Sequence, residues 1–242
     1  MTHTTQPRLL VVLPTYNEQE ALPGVLAELS TVAPTAELLV VDDGSTDASA
    51  EVARAHGARV IRLPYNSGVG AALRTGLLVA SRCRADAVVQ CDADGQHPPE
   101  AIELLVKHLG DADIVIGARF AGAGDYRVRG PRKWAMGLLA FTMSRLHRTR
   151  LTDVTSGFRA FGPRAVGVLS RELPPEYLGD TVEALIIAQR HHLRVVQVGV
   201  SMRERQGGIP SQDPLSSTIY LARVVTMLVL SLPRLIRRKA DA

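Results

Sequence analysis

The first half of this 242-residue chain repeats one rhythm: a short apolar run, a polar loop at its end, then a segment with apolar residues at helical spacing. The runs are Arg8 to Leu13, Glu37 to Val41, Arg59 to Leu63, Ala87 to Cys91 and Asp113 to Gly117. Each is short, bounded by turn residues and rich in Val, Ile and Leu, the signature of a buried strand. Between them lie predicted helices: one carrying Leu22, Val25, Leu26 and Leu29, one running to His56 with Ser45 or Thr46 as its cap, one to about Arg82, and one from Pro98 to Leu109. Strands alternating with helices predict an α/β fold, a doubly wound and mostly parallel sheet with helices on both faces. In such a sheet every loop that follows a strand opens on one edge, where ligands bind.

After Arg119 the rhythm breaks into a Gly- and Arg-rich loop over 121–133. A predicted helix from Trp134 to His147 follows, then the loop Asp153 to Arg159, helices near Pro163–Arg171 and Asp180–His192, a strand Arg194–Val200, and the loop Arg203 to Pro210. Leu215 to Ile236 reads as a C-terminal amphipathic helical segment closed by Arg237-Arg238-Lys239. The length suits one large domain with a tail, and we divide the chain into a main domain over 1–212 and a tail over 213–242. With 46% hydrophobic and 21% charged residues, wholesale disorder is excluded.

A net charge of +4 favours anionic partners, phosphates or an acidic membrane surface. Nucleic acid is not expected, because aromatics make up only 4% and no RNA-recognition, zinc-finger or helix-turn-helix pattern is present. Cys83 and Cys91 lie too close together for a useful disulfide, which fits a reduced, cytoplasmic compartment. Residues 1–7 lack the basic start and apolar stretch of a signal peptide, and no apolar run is long enough to span a bilayer.

The loops after the first, second and fourth strands carry Asn17-Glu18, Asp42-Asp43 and Asp92-x-Asp94. Taken alone, Asp92 and Asp94 read either as an acidic strand-to-helix turn or as a pair sharing one hard cation, Mg²⁺ or Mn²⁺, completed by water and substrate phosphates. Three such loops on one edge favour the second reading, since gathered carboxylates repel unless something cationic or hydrogen-bonding lies among them. Asp42 and Asp43 are then placed to meet a base or ribose hydroxyls. Gly68, Gly70 and Gly76 miss the dinucleotide fingerprint and read instead as a helix start where backbone or Arg74 approaches a phosphate or base.

In combination these motifs are specific. Leu13-Pro14-Thr15-Tyr16-Asn17-Glu18, Val41-Asp42-Asp43-Gly44-Ser45, Asn66-x-Gly68-x-Gly70 leading to Arg74, Asp92-Ala93-Asp94-Gly95-Gln96-His97-Pro98-Pro99-Glu100, Gly117-Ala118-Arg119 and Asp153-x-Thr155-Ser156-Gly157-Phe158-Arg159 span most of the chain. Together they resemble the inverting GT-A (Rossmann-like) glycosyltransferases of the dolichol-phosphate mannose synthase or polyprenyl-phosphate sugar synthase type. The resemblance implies that Pro14, Tyr16, Glu18 and Asp43 line the pocket for base and ribose. It implies that Asp92 and Asp94, with Gln96 nearby, handle metal and diphosphate, and that Arg119, Arg132 and Arg205 hold donor and acceptor phosphates. The chain departs from the family pattern at Gln212, where a Lys is common, and at Thr181-Val182-Glu183, where many relatives have Gln-Val-Glu.

The implied reaction moves a sugar from a GDP- or UDP-linked donor to a polyprenyl phosphate with inversion. Such an acceptor is already ionised and needs cationic clamps more than a base; arginines 119, 127, 129, 132, 203 and 205 suit it. A hydroxyl acceptor instead needs a carboxylate, for which Glu183 or Asp180 is at hand. A non-catalytic nucleotide-sugar-binding module is the remaining alternative. The 134–147 helix, with Trp134, Leu138, Leu139, Phe141 and Met143 among basic residues, and the C-terminal segment suit a membrane interface, the sheet, or a homodimer contact equally. The resulting expectation is a cytoplasmic protein, peripheral on the inner face of the cytoplasmic membrane, alone or with a membrane partner.

Overall fold

In a computed structural model of the chain, residues 8–119, 131–174 and 180–205 are described. The expectations for Arg127, Arg129, the loop beyond residue 205 and the tail over 213–242 fall outside these residues.

Strands β1 (Leu9–Thr15), β2 (Glu37–Asp42), β3 (Arg59–Arg62), β4 (Ala87–Gln90), β5 (Ile114–Arg119), β6 (Arg159–Phe161) and β7 (Val195–Val200) form one sheet in the order β3-β2-β1-β4-β6-β5-β7. The helices are α1 (Leu22–Val32), α2 (Ser49–Ala55), α3 (Val69–Cys83), α4 (Ala101–His108), α5 (Pro131–His147), α6 (Pro163–Glu172) and α7 (Asp180–Arg190).

The strand pleat builds the two cores. Successive strand residues point to opposite faces, so Leu10, Val12, Leu39, Val41, Val88, Ile114 and Ile116 enter one buried cluster with α3, α6 and α7. Their neighbours Val11, Leu13, Val40, Val89 and Val115 enter the other with α1 and α4. A strand buried on both faces must be apolar throughout, which is why these runs show no alternation. Helix α3 lies so close to β1 that a Cβ at Gly76 would stand 2.4 Å from Val12 Cγ1.

The expected mostly parallel sheet is present, with one element the sequence pattern does not reveal. Strand β6 is a three-residue piece running antiparallel to both β4 and β5, with Ala160 level with Val89 on one side and Val115 on the other. Three residues, one of them a buried arginine, give no readable period. Its insertion brings the loop 153–158 beside the end of β4.

Other boundaries also shift. Pro98-Pro99-Glu100 form a turn before α4, which starts at Ala101. Helix α2 starts at Ser49 without capping by Ser45 or Thr46; the Asp47 carboxylate accepts the Ser49 N–H instead (3.0 Å). On α5 the expected exposed face is divided: Leu138 and Phe141 are exposed, whereas Leu139 and Met143 are fully buried in the core. Among the described residues no helix is long and apolar enough to cross a membrane.

Candidate active site

The order β3-β2-β1-β4 places the carboxyl ends of β2, β1 and β4 side by side, with β1 and β4 at the point where the strand order reverses. The Asn17-Glu18, Asp42-Asp43 and Asp92–Asp94 loops therefore share one edge, as expected.

The first two loops are laced together. Asn17, in the left-handed region at φ 54°, gives its N–H to Ser45 Oγ (3.0 Å) and accepts the Thr46 N–H at its side-chain oxygen (2.8 Å). The Glu18 N–H donates to Ser49 Oγ (2.8 Å). These bonds fix the turn that carries Tyr16, which is exposed, and Glu18, which is buried.

The adjacent aspartates divide their tasks. Asp42 is fully buried; its Oδ1 accepts the Ser45 N–H (3.0 Å) and Arg62 Nε lies 3.1 Å from its Oδ2. Its contacts are internal, which corrects the expectation that it meets a base or ribose: it holds the loop. Asp43 accepts the Ser67 and Gly68 N–H groups at its two oxygens (2.8 and 2.7 Å), fixing the loop after β3. Burial holds its carboxyl above the ordinary range, and the two amides oppose that shift. Each oxygen keeps a second lone pair.

Around Asp94 the charges pair. Its Oδ1 accepts the Gln96 N–H (3.0 Å) and its Oδ2 faces the Arg205 guanidinium (3.3 Å), which also bonds Glu18 Oε1. Glu18 Oε2 is buried, with no hydrogen-bond partner among the described residues. Burial raises the Glu18 carboxyl to about 7 against the opposing pull of Arg205, and Asp94 pushes it the same way as burial. Arg205 comes from 187 positions along the chain and is delivered by Arg203. The Arg203 N–H donates to the Gln96 carbonyl (2.9 Å), and its guanidinium grips both oxygens of Glu28 (2.7 and 2.8 Å) and of Glu100 (2.6 and 2.8 Å). Arg203, counted above with the phosphate-binding arginines, is thus engaged as an anchor.

Asp92 is the open carboxylate of the pair, its side chain 39% exposed against 11% for Asp94. Among the described residues no three His, Cys, Asp or Glu side chains gather closely enough to cage a metal. That suits a hard cation held by one or two carboxylates and otherwise by water and phosphate. The donor set is all oxygen, and the Arg205 guanidinium beside Asp94 and Glu18 marks where this edge accepts positive charge. The residues therefore fit Mg²⁺ or Mn²⁺.

The remaining expected residues are scattered more widely. Arg119 ends β5 on the same edge, exposed and level with Val200. Pro14 is half-buried at the end of β1. Glu183 is half-buried in the first turn of α7. The Arg74 guanidinium lies 3.4 Å from the Ser170 and Arg171 carbonyls of α6. Arg132 lies at the start of α5, and its side chain is outside the described residues. Arg159, whose role sequence reasoning missed, is buried and donates to the Ser156, Thr181 and Val154 carbonyls (2.8, 2.7 and 2.7 Å). It ties the loop beside Asp92 to the start of α7; a lone arginine in an unpatterned stretch gives no sign of this.

Comparison with known proteins agrees with this geometry. The chain is 32% identical over 212 residues to an undecaprenyl-phosphate mannosyltransferase of Micrococcus luteus, covering 83% of this chain and 86% of that protein. It is 31% identical over 233 residues to a dolichyl-phosphate hexose transferase of Haloferax volcanii, covering 95% and 97%. Among solved structures, the glucosyl-3-phosphoglycerate synthase of Mycobacterium tuberculosis in complex with Mn²⁺, UDP and glucosyl-3-phosphoglycerate superposes with a TM-score of 0.69 at 27% identity, covering 92% of this chain and 79% of that one. The GT-A architecture expected above is the one adopted. The model of glycosyl transferase family 2 matches residues 10–169, and the chain belongs to that family.

Proposed function

We propose that this protein transfers a sugar from a nucleoside-diphosphate sugar to a polyprenyl phosphate, with inversion at the anomeric carbon and with Mg²⁺ or Mn²⁺ as cofactor. The observation that carries the reading is the acidic edge itself: Asp92, Asp94 and Glu18 gathered where the strand order reverses, with a guanidinium among them. The metal, when bound, supplies Lewis-acid neutralisation of the departing diphosphate. Asp92 and Asp94 would hold it, with Gln96 nearby. Pro14, Tyr16, Glu18 and Asp43 line the base and ribose side. Arg119, Arg132 and Arg205 serve the phosphates, with Arg205 leaving Glu18 and Asp94 as diphosphate arrives. A phosphate acceptor is ionised at neutral pH, so the protein's task is to place it in line with the anomeric carbon and to screen its charge. We assign the transferase unit to residues 1–212 and place it at the membrane surface that carries its acceptor, with 213–242 as a tail.

The named relatives support the polyprenyl acceptor, whereas the likeness to glucosyl-3-phosphoglycerate synthase favours a second reading, a small soluble acceptor whose hydroxyl is activated by Glu183 or Asp180. One assay separates them. GDP-mannose, UDP-glucose and UDP-N-acetylglucosamine are each incubated with Mn²⁺ and either detergent-solubilised polyprenyl phosphate or 3-phosphoglycerate. Sugar appearing in the lipid phase, abolished by EDTA and by Asp94→Asn, is the expected result. Transfer only to the soluble acceptor, lost in Glu183→Gln, would replace the first reading by the second.

A further inference from the structure

The loop between the acidic pair and α4 contains a side chain to which neither reading gives a task. His97 is 6% exposed, and its ring stacks on Phe158 with centroids 4.8 Å apart and 22° between the planes. Its Nδ1 accepts the backbone N–H of Asp92 at 2.9 Å. A backbone N–H only donates, so Nδ1 presents a lone pair and the neutral ring carries its proton on Nε2. That second nitrogen lies 3.5 Å from Asp92 Oδ2, an electrostatic contact rather than a formed hydrogen bond. One edge of the imidazole therefore faces both the main chain and the carboxylate of a single residue.

The other side of Asp92 is closed by the loop that β6 brings in. A Cβ at Gly157 would stand 3.3 Å from both Asp92 carboxylate oxygens and from Gln90 Nε2, so the backbone of this loop packs closely against the carboxylate. The next residue is Phe158, the stacking partner. The ring pair and the glycine thus bracket Asp92 from two segments that are far apart in sequence. Such bracketing matters for this residue in particular. Asp94 is already held by Gln96 and Arg205, whereas the Asp92 side chain is 39% exposed and without such bonds would sample several rotamers.

We propose that His97 is a positioning residue that holds Asp92 in the orientation in which its carboxylate faces the cation. The inference rests on the cation site proposed above. Partners one step removed from a metal typically change its affinity by about 10–100-fold.

The test is Mn²⁺ binding to the full chain without donor, followed by the spectrum of the free ion in electron paramagnetic resonance, with thermal stability in EDTA measured alongside. His97→Phe keeps a ring to stack on Phe158 and removes both nitrogens; His97→Asn keeps an acceptor near the Nδ1 position and removes the stack. A positioning role makes the Phe variant bind Mn²⁺ about tenfold or more weakly and leaves the Asn variant within about threefold of wild type. In EDTA the order reverses, the Asn variant being the less stable. If affinity instead follows stability, with Phe retaining and Asn losing Mn²⁺, the ring only packs and the proposal is overturned. Asp92→Asn separates the two levels of inference. Mn²⁺ affinity unchanged in that variant removes the cation site and the role of His97 with it; affinity lost there but retained in His97→Phe removes the role of His97 alone. Should the Phe variant not fold, the Asn variant decides: a loss as large as that of Asp92→Asn overturns the proposal, and retention upholds it.

Discussion

Replacing Gly44 by alanine tests whether the donor side of the edge depends on one close backbone approach. Gly44 sits between Asp43 and Ser45 at φ +73°, and a Cβ there would lie 2.6 Å from the Tyr65 carbonyl carbon and 2.8 Å from the Asn66 nitrogen. Both obstacles are backbone and cannot swing aside. The left-handed conformation alone costs an alanine about 1 kcal/mol, and forcing apart packed groups adds about 1–3 kcal/mol, so a total of roughly 2–4 kcal/mol is expected. Gly57 is the internal control: its φ is +78°, but nothing lies within 4 Å of its Cβ position, so Gly57→Ala carries the conformational part alone. Urea unfolding of both variants measures the difference, which isolates the clash at Gly44 at about 1 kcal/mol or more. The clash also pushes residues 65–66 outward, away from the Ser67 and Gly68 amides on Asp43, so Gly44→Ala should weaken nucleotide-sugar binding in thermal-shift titration while Gly57→Ala should not. Equal unfolding free energies for the two variants, or unchanged donor binding in Gly44→Ala, would refute this reasoning.

Three further outcomes follow from the charges. Burial depresses His147 to about 4, with its Nε2 3.0 Å from the Leu185 carbonyl, so the unfolded chain takes up the proton first as pH falls. Stability is then lost between pH 6.5 and about 4, by at most about 3 kcal/mol, and His147→Gln, compared with wild type by urea unfolding across that range, should lack this component. Glu18 has the opposite sign: with its carboxyl raised to about 7, the folded state keeps the proton longer, so its contribution is full below the ordinary carboxyl value and declines as pH rises toward 7. Glu18→Gln should flatten the fall in unfolding midpoint between pH 5 and 8, and an identical pH dependence would contradict the assignment. Arg203→Met should cost about 1 kcal/mol and speed amide exchange over residues 201–205 while β7 stays protected; unchanged exchange there would mean the glutamates do not anchor Arg205.

Much of the architecture is local and therefore legible in the residues themselves. Runs such as Leu10–Leu13 and Val88–Val89 must be strands buried on both sides, and a strand–helix alternation calls for a parallel α/β sheet. That topology in turn sends Glu18, Asp43, Asp92 and Asp94 to a common edge, because chain direction alone decides which end of a parallel strand a loop occupies. Pairing is a different matter. Whether Asp42 or Asp43 keeps capacity for a ligand depends on Arg62 and on the Ser67 and Gly68 amides. Whether Arg203 meets a phosphate or two glutamates depends on Glu28, 175 positions away. A three-residue strand such as β6 has no period to detect, yet it determines what stands beside Asp92. Hydrophobic pattern sets secondary structure because it is written over neighbouring residues; the partner of a charge comes from wherever the folded chain brings one within a few ångströms, and only the tertiary structure decides that.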